Sequence, residues 1–390
     1  MPKGLMPELL IAAGPGEWRA AWIEDGAAVE LYVERGDTKP PDSLHLGRVV
    51  RVLSALDAAL VDIGDARPGF LPLRDIPPEM KAEEGARLVV AVRREAWAEK
   101  AARLTAKIPA SPLALAVECA PPAQLSPPPG LAAALALRVP QTPHNIATDD
   151  AAILTELRAA FPAAEVAYRV ADDWPIDLDA AIDNALSPSL ALDRSGTVHI
   201  EETRTATLID VDTGSPQTGS SARAALAANR TAARLIGREL RLRNIGGAIV
   251  IDFVGLATGL GRRDHREQIR QTLEAALAGD PAKPQVLGWT RLGHLELTRP
   301  RRARSLADAM LDPGTRGKQP AALAHEALRR LAREARANPA ANWRLTAPHA
   351  VEAALRGPAA AALKTLETRL GRRIAIDTVP AGADFDIIAI

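Results

Sequence analysis

The chain has 390 residues, which is long enough to form two or three domains. Its formal net charge is zero, with 47% hydrophobic and 25% charged residues, so the composition excludes a disordered or fibrous chain and is typical of a globular protein. Cys119 is the single cysteine, which excludes an intrachain disulfide and a zinc site built from several thiolates.

Membrane insertion and secretion are not predicted. No apolar run approaches the roughly 18 residues of a membrane-spanning helix. The N-terminal sequence MPKGLMPELLIAAGPGE lacks the long apolar core and the cleavage site of a signal peptide. We therefore expect a cytoplasmic protein without a membrane partner.

The first part of the chain is rich in strand patterns. Residues 8–35 predict two strands that meet at a turn over Glu24-Asp25-Gly26. Residues 46 to 107 contain several short apolar runs separated by turns, which favours a small barrel of the OB type. Such barrels bind single-stranded nucleic acid through aromatic and basic side chains. Phe70 is the aromatic candidate, with a core position as its alternative, and the basic candidates are Arg48, Arg51, Lys100 and Arg103.

The middle of the chain has a different composition. Residues 110–150 are rich in Pro and Ala, which predicts a linker or a reduced subdomain. A helix is expected over 148–161, with Asp149 and Asp150 in its first turn, where carboxylates are favourable. A strand near 165–170 and a helix over 177–185 follow.

Two strand patterns carry acidic residues in an arrangement that indicates a metal site. In RTATLIDVDTGS, which begins at Arg204, Asp210 and Asp212 are two positions apart, so both carboxylates face the same side of a strand. In GGAIVIDFV, which begins at Gly246, Asp252 interrupts an apolar run, where an uncompensated charge is costly. Three carboxylates from two adjacent strands suit Mg²⁺ or Mn²⁺. The alternative is that each Asp caps a helix or forms a turn.

The elements around these strands predict an α/β layer. Strands are expected over 205–212, 248–254, 285–290 and 294–299, and helices over 221–243 and 262–278. Their alternation gathers the carboxylates at strand ends. The loop 255–261, GLATGLG, lies between a strand and a helix and offers a second hypothesis, a nucleotide-binding enzyme. It matches neither GxGxxG nor GxxxxGK(S/T), and its glycine spacing alone is weak support.

The segment from Arg223 to Arg304 is basic although the whole chain is neutral. It has 16 Lys and Arg against 7 Asp and Glu, a local net charge of +9. Positive charge around an acidic site suits a polyanionic substrate held over a metal. One stripe at helical spacing consists of Arg230, Arg234, Arg238 and Arg241. If the protein binds a polyanion, this stripe is expected to face its phosphates. The alternative is that the stripe is a solvated helix face.

The C-terminal part predicts a small α/β domain. Residues 313–322 have the composition of a linker. An Ala- and Arg-rich helix follows, then a strand at Trp343–Thr346, a helix near 348–370, and a β-hairpin made of RRIAIDTV and FDIIAI.

These motifs resemble those of the ribonuclease E/G endoribonucleases. GRVVRVLSALDAALVDIGDARPGFLPLRDI resembles the family's RNA-binding OB domain, LIDVDTGS its first metal-binding signature, and LRLRNIGGAIVIDFV its second. RLGHLELTRPR resembles the stretch that closes the family's DNase-I-like catalytic subdomain. The resemblance covers about residues 8–110 and 175–390.

The resemblance implies a multidomain fold that combines the α+β and α/β classes. It consists of a ribonuclease-H-like region (1–45 and 111–190) with a reduced sensor segment, an inserted OB-type β-barrel (46–110), a DNase-I-like catalytic subdomain (191–312), and a linker with a small C-terminal domain (313–390). The implied activity is metal-dependent endonucleolytic cleavage of single-stranded RNA, in RNA processing or decay, leaving 5′-phosphate ends. The alternative is an RNA-binding protein of the same fold that has lost catalysis.

The resemblance also assigns roles to single residues. Asp210 and Asp252 match the family's two metal-ligand aspartates, with Mg²⁺ as the expected ion and Mn²⁺ as its alternative. Asp212 stands where the family usually has an Asn that orients the site, and it is counted among the catalytic residues. Phe70 matches an RNA-stacking aromatic, and Leu60 stands where a second aromatic is expected. The expected basic RNA contacts are Lys100, Arg241, Arg243, Arg291 and Arg299.

Two features depart from the family pattern. The stretch after the barrel is short and Pro-rich and lacks an Arg-Thr-Ala-Gly-like signature, so we expect weak or absent sensing of a 5′-monophosphate. The sequence LDPGTRGKQ stands where the family has a CPxC zinc link, so no zinc is expected. A homo-oligomer would have to form by another route.

Overall fold

The computed structural model describes most of the chain, which divides into two compact units. One unit is residues 34–137, and the other combines residues 1–33 with 138–390. Among the described residues, no helix has both the length and the apolar character that crossing a membrane requires. The described residues are 7–35, 39, 41–65, 67–96, 100–108, 119–126, 130–192, 196–214, 222–255 and 260–390.

Strands and helices are numbered separately in chain order. The strands are β1 (Glu8–Gly14), β2 (Glu17–Glu24), β3 (Ala27–Arg35), β4 (Leu44–Leu53), β5 (Ala58–Asp62), β6 (Gly69–Pro72), β7 (Arg87–Arg94), β8 (Arg103–Thr105), β9 (Ala123–Gln124), β10 (Asn145–Thr148), β11 (Glu165–Tyr168), β12 (Ser189–Ala191), β13 (Thr197–Glu202), β14 (Ala206–Asp212), β15 (Gly247–Asp252), β16 (Gln285–Trp289), β17 (Leu295–Arg299), β18 (Trp343–Pro348), β19 (Ala375–Val379) and β20 (Asp386–Ala389). The helices are α1 (Leu131–Arg138), α2 (Leu154–Ala160), α3 (Leu178–Leu186), α4 (Ala222–Leu242), α5 (Leu260–Leu277), α6 (Leu306–Met310), α7 (Pro320–Ala337), α8 (His349–Arg356) and α9 (Ala360–Leu370).

The first sheet lies in the larger unit and has the strand order β11-β10-β1-β2-β3. β1 runs parallel to β10 and antiparallel to β2. The prediction of two strands over 8–35 was wrong, because a turn at Pro15 and Gly16 divides the first of them into β1 and β2. Gly16 has a φ of +67°, a left-handed conformation that glycine adopts without a steric penalty. The residues before this turn are apolar, so the hydrophobic pattern does not mark the end of β1.

The smaller unit contains a closed five-stranded barrel, as the sequence predicted. Its strands follow the order β5-β6-β8-β7-β4, and pairing between β4 and β5 closes it. Inward-facing residues form its core, among them Val49, Val61, Leu71, Val90 and Leu104. The unit spans residues 34–137 rather than the expected 46–110, and β9 adds a strand beside β4 in this extension.

The sheet that carries the acidic residues has the order β12-β13-β14-β15-β17-β16. β14 and β15 run parallel and are joined through α4, whereas the other neighbouring strands are antiparallel. α4 and α5 cover one face, on which Ile209 is buried among Ile236 and Leu273. Asp210 and Asp212 are exposed on the opposite face. The predicted alternation along this strand is therefore confirmed. We call the side that bears Asp210 and Asp212, where side chains of β14 are exposed, the open face.

The C-terminal segment packs the sheet β19-β18-β20 against α7, α8 and α9. α7 begins at Pro320, inside the stretch expected to be a linker, because proline is well tolerated in the first turn of a helix. Arg329 of α7 forms a buried ion pair with Glu17 of β2. α7 therefore packs on the first sheet as well, and the C-terminal segment is continuous with the larger unit.

Glu202, the last residue of β13, makes stability depend on pH. Burial raises the pKa of this carboxyl to about 7, although a hydrogen bond with Ser305 opposes the shift. Because the folded pKa is raised, this stability contribution is fully present below the unfolded pKa and is lost as pH rises through about 7. We predict that Glu202→Gln stabilises the protein by about 2 to 3 kcal/mol at pH 8 and has little effect at pH 4. Urea denaturation of both proteins at both pH values measures this difference.

Glu201→Gln is the matched control, because Glu201 is exposed on the same strand. It should change stability by less than about 0.5 kcal/mol at either pH. An equal effect of Glu202→Gln at pH 4 and pH 8 would contradict the assignment, since the substitution would then act through packing and not through ionisation.

Candidate active site

Asp210 and Asp252 form the centre of the candidate site. They are directly paired in the parallel register of β14 and β15, and paired residues on neighbouring strands point to the same face of a sheet. Neighbouring strands are about 4.8 Å apart, so the two carboxylates lie side by side on the open face. The Asp252 side chain is 60% exposed, which leaves its oxygens accessible to a ligand.

One buried amide of α4 fixes the chain immediately after β15. The Asn229 side chain accepts a hydrogen bond from the Val254 backbone N–H at 3.1 Å and donates one to the Val254 carbonyl at 3.0 Å. Phe253 packs against Trp289, with the ring centroids 5.9 Å apart. The residues that follow Asp252 are therefore held from two directions, and its backbone position is set by the fold itself.

A row of polar side chains extends across the sheet on both sides of the two aspartates. His199 of β13 pairs with Asp210, and its Nδ1 lies 2.9 Å from the Ser189 Oγ of β12. On the other side, His294 directly precedes β17, and its Nε2 lies 3.7 Å from the Asp252 Oδ2. We call these five residues the polar row. Neither histidine was predicted from the sequence, although His199 shares the solvent-facing side of β13 with Glu201.

Asp212 ends β14 two residues beyond the polar row. It pairs with Thr197 of β13, whereas β15 ends at Asp252 and supplies no neighbour on the other side. Its Oδ1 accepts a hydrogen bond from the Gly214 backbone N–H at 2.9 Å. This is the turn-forming role that the sequence left open. Because the side chain is exposed, its second oxygen remains accessible to water or a ligand.

The donor set of the site suits a hard divalent ion. Mg²⁺ and Mn²⁺ prefer carboxylate oxygens, and two adjacent negative charges favour a cation between them. In the part of the chain that the structure describes, no residue forms an ion pair with Asp210 or Asp212. Within the same part, no three His, Cys, Asp or Glu side chains converge in a closed metal cluster. The site is thus an open carboxylate pair, at which water would complete the coordination.

Two of the arginines expected to contact RNA are buried in internal ion pairs. Arg299 donates to both oxygens of Asp280, at 2.7 and 3.1 Å, and both side chains are almost fully buried. Arg243 is buried against Glu239, with its Nε 2.7 Å from the carboxylate. Turning either guanidinium to an external phosphate would leave a buried carboxylate without its partner, which is costly. The geometry therefore contradicts the expected RNA contacts of Arg243 and Arg299.

Arg241 and Arg291 have different surroundings. Arg241 donates to Glu24 at 2.7 Å and to Glu30 at 2.8 Å, so it links α4 to the first sheet instead of facing a phosphate. This contradicts its expected RNA contact and removes it from the basic stripe. Arg291 is exposed in the turn that leads to His294, and it remains a candidate.

The other arginines of the stripe lie on the side of the sheet away from the polar row. Arg230, Arg234 and Arg238 are exposed on α4, whose opposite face is buried against the sheet. Arg230 and Arg234 line an open groove of about 510 Å³ between α4 and α5. These three arginines therefore do not face the two aspartates. They belong to a solvated helix face, which was the alternative to a phosphate contact.

The barrel carries a second candidate surface. Leu60 and Phe70 are directly paired on its outer face, and Arg51 and Arg103 pair with them on either side. We call these four residues the barrel row. Phe70 is half-buried and lies outside the barrel core, so the geometry disfavours its core alternative. Lys100 is exposed three residues before β8. An aromatic side chain flanked by basic residues is a combination that binds single strands.

Two other sequence expectations concern loops. Residues 256–259 of the GLATGLG loop lie outside the described residues, so the nucleotide-binding hypothesis stays a prediction. The segment that stands at the position of the family's zinc link forms a turn. There the Asp312 Oδ1 accepts hydrogen bonds from the backbone N–H groups of Gly314 and Thr315 at 2.8 and 2.9 Å.

Comparison with known proteins relates the same region to one family. Residues 165–302, which contain the polar row and Asp212, match the model of the Ribonuclease E/G family. The chain is 25% identical to Ribonuclease G of Escherichia coli strain K12 over an alignment that covers 98% of this chain and 99% of that protein. It is 40% identical to Ribonuclease E of Nostoc sp. strain PCC 7120 over 35% of this chain and 19% of that protein. It is 36% identical to Ribonuclease G of Haemophilus influenzae over 35% of this chain and 27% of that protein.

A stability measurement tests the structural role of Arg299. We predict that Arg299→Met lowers the free energy of unfolding by about 3 to 5 kcal/mol, because Asp280 is left buried without its cation. Arg291→Met is the matched control, since the exposed Arg291 should change stability by less than about 0.5 kcal/mol. Chemical denaturation of both variants gives the comparison. Similar small effects would show that Arg299 is not held by a buried ion pair.

Proposed function

We propose that this chain, which belongs to the ribonuclease E/G family, is an endoribonuclease that hydrolyses internal phosphodiesters of single-stranded RNA with a divalent ion. The observation that carries this proposal is the in-register pair Asp210 and Asp252, which lies within the matched residues 165–302. A pair of exposed carboxylates on the open face of a sheet leaves space for an extended strand of RNA to approach.

The two aspartates would hold the ion, and the remaining residues would orient the substrate. When bound, a divalent ion supplies Lewis acidity, polarising the scissile phosphate and lowering the pKa of a water. Asp212 would orient water at the edge of the site with the oxygen that Gly214 does not use. Arg291, exposed in the turn before His294, would contact a flanking phosphate through charge-assisted hydrogen bonds. The products would carry 5′-phosphate and 3′-hydroxyl ends.

The barrel would hold single-stranded bases on the barrel row. Phe70 offers a ring on which a base stacks, and Leu60 beside it offers apolar contact without a π face. Arg51 and Arg103, on either side of this pair, would contact the phosphates of the same strand. Lys100 adds a further exposed cation to this unit. We expect weaker stacking than two adjacent aromatics would give.

Cleavage of a labelled single-stranded RNA tests the proposed site. We predict internal cuts with Mg²⁺ or Mn²⁺ and none with EDTA. Asp210→Asn should slow cleavage by more than about 100-fold, because even residues that only support metal ligands change activity 10- to 100-fold. The same variant should bind RNA within about threefold of the wild type, because the barrel row is unchanged. Substrates with 5′-monophosphate and 5′-hydroxyl ends, run in parallel, report whether the 5′ end matters.

Glu201→Gln is the matched control for this assay, because Glu201 is exposed on the neighbouring strand β13 and lies outside the polar row. It should cleave at the wild-type rate. Near-wild-type cleavage by Asp210→Asn would refute the site. RNA binding without cleavage by the wild type, in either metal, would support the alternative of an inactive RNA-binding protein.

Substitutions in the barrel row test the stacking surface. We predict that Phe70→Ala weakens the binding of a short single-stranded RNA by about 1 to 3 kcal/mol, and that Leu60→Phe strengthens it by about 1 kcal/mol. Neither change should alter the dependence of affinity on salt, whereas Arg51→Gln should reduce that slope by about 0.7. Fluorescence anisotropy at several salt concentrations measures both quantities. Unchanged affinity in both Phe70→Ala and Leu60→Phe would contradict stacking at this place.

A further inference from the structure

We propose that His294 is a nitrogen ligand of the ion held by Asp210 and Asp252, and that this ligand makes the site prefer Mn²⁺ to Mg²⁺. The inference rests on the proposed function, because it assumes that the two aspartates hold a divalent ion. It adds a residue and an ion preference that the carboxylate pair alone does not provide.

The position of His294 follows from strand register. Ile251 pairs with Leu295 in the antiparallel ladder of β15 and β17, so the preceding His294 stands beside Asp252. The His294 Nε2 lies 3.7 Å from the Asp252 Oδ2. Bonds from Mg²⁺ to its ligands are about 2.0 to 2.1 Å long, and those from zinc to histidine nitrogen are similar, so two donors of one such ion lie at most about 4.2 Å apart. The observed separation meets this condition.

The backbone of His294 is fixed, whereas no side chain or backbone group that the structure describes holds its ring by a hydrogen bond. The Thr290 Oγ1 accepts hydrogen bonds from the backbone N–H groups of Gly293 and His294, each at 3.2 Å, and the Thr290 N–H donates to the His294 carbonyl at 2.9 Å. A separation of 3.7 Å from Asp252 is too long for a hydrogen bond. Within the described part of the chain, the ring therefore has a nitrogen available to a ligand.

Binding of one ion by all three side chains requires a change of side-chain rotamer. The side chains of Asp252 and His294 are 60% and 33% exposed, so both present surface that an ion from solvent can reach. In their present rotamers these groups do not form a closed cluster with Asp210. An ion at the carboxylate pair would draw the imidazole in, while Phe253 and the Asn229 amide keep the backbone in place.

The nitrogen donor changes which ion the site favours. Mg²⁺ takes oxygen ligands almost exclusively and keeps several of its waters. Imidazole binds first-row transition ions well, and Mn²⁺ accepts both oxygen and nitrogen. Replacing one water by the His294 ring therefore stabilises bound Mn²⁺ more than bound Mg²⁺.

A simple ion pair between His294 and Asp252 is the competing explanation, and it predicts the opposite effect. A protonated imidazole would neutralise Asp252 and compete with the metal, so its removal would leave metal binding unchanged or strengthen it. His199 offers a matched control within the same sheet. Its Nδ1 bonds to Ser189 on the strand away from Asp210, which ties its ring to the far side of the row.

Electron paramagnetic resonance of Mn²⁺ tests the proposal directly. The signal of free Mn²⁺, recorded during a titration, gives the Mn²⁺ affinity, and competition with Mg²⁺ gives the Mg²⁺ affinity. A pulsed experiment detects ¹⁴N nuclei coupled to the bound Mn²⁺. We expect ¹⁴N coupling in the wild type. His294→Gln should abolish it, weaken Mn²⁺ binding about tenfold or more, and change Mg²⁺ affinity less than about threefold. His199→Gln should behave as the wild type in all three measurements.

The outcomes separate this inference from the proposed function. Mn²⁺ binding that disappears in Asp210→Asn, but shows no ¹⁴N coupling in the wild type, would overturn the role of His294 and leave the carboxylate site intact. An unchanged or increased Mn²⁺ affinity in His294→Gln would also overturn it, in favour of the ion pair. Equal Mn²⁺ binding by Asp210→Asn and the wild type would refute the metal site of the proposed function itself.

Discussion

The parallel pairing of β14 with β15 is the constraint on which the candidate site depends. Backbone hydrogen bonding between these strands sets Asp210 beside Asp252, and a slip of one residue would turn one carboxylate to the apolar face. A parallel pair requires a crossover, which α4 supplies while it buries Ile236 against the sheet. Asn229 of the same helix then holds Val254, just beyond the end of β15. One helix thus connects the strands, covers their apolar face and fixes the strand end that presents the site.

Burial decides what each charge does in this protein. The segment from Arg223 to Arg304 has a net charge of +9, but several of its arginines do not face the two aspartates. Part of its positive charge is neutralised internally, as in the pair of Arg299 with Asp280. Another part lies on the outer face of α4, across the sheet from the polar row. Asp210 and Asp252 remain exposed carboxylates on neighbouring strands, and two adjacent negative charges favour a cation between them.

The pattern of consecutive residues predicted the strands and helices and the strand face that bears the aspartates. It could not predict contacts between residues that are far apart in the chain. The alternation that places Asp210 and Asp212 on one side is a property of consecutive residues, and it survives folding because the other side meets the helices. The partner of Arg241 is Glu24, 217 positions earlier, and no spacing rule connects them. The position of His294 beside Asp252 follows only from the register of β17 with β15. A single histidine after a glycine does not form a sequence pattern from which that position could be predicted. The sequence shows that a residue is charged but not which residue it pairs with. For this reason several arginines that form internal ion pairs were expected to contact RNA.

The buried ion pair between Glu17 and Arg329 also constrains when the protein can finish folding. The two residues are 312 positions apart in the chain, and Glu17 is fully buried. A ribosome adds about 5 to 20 residues per second, so roughly 15 to 60 seconds separate the synthesis of the two partners. During that interval the N-terminal strands lack the Arg329 guanidinium, which lies against the buried Glu17 carboxylate in the finished fold. The larger unit therefore reaches its final packing only after α7 has left the ribosome, although the strands that bear the aspartates are made earlier.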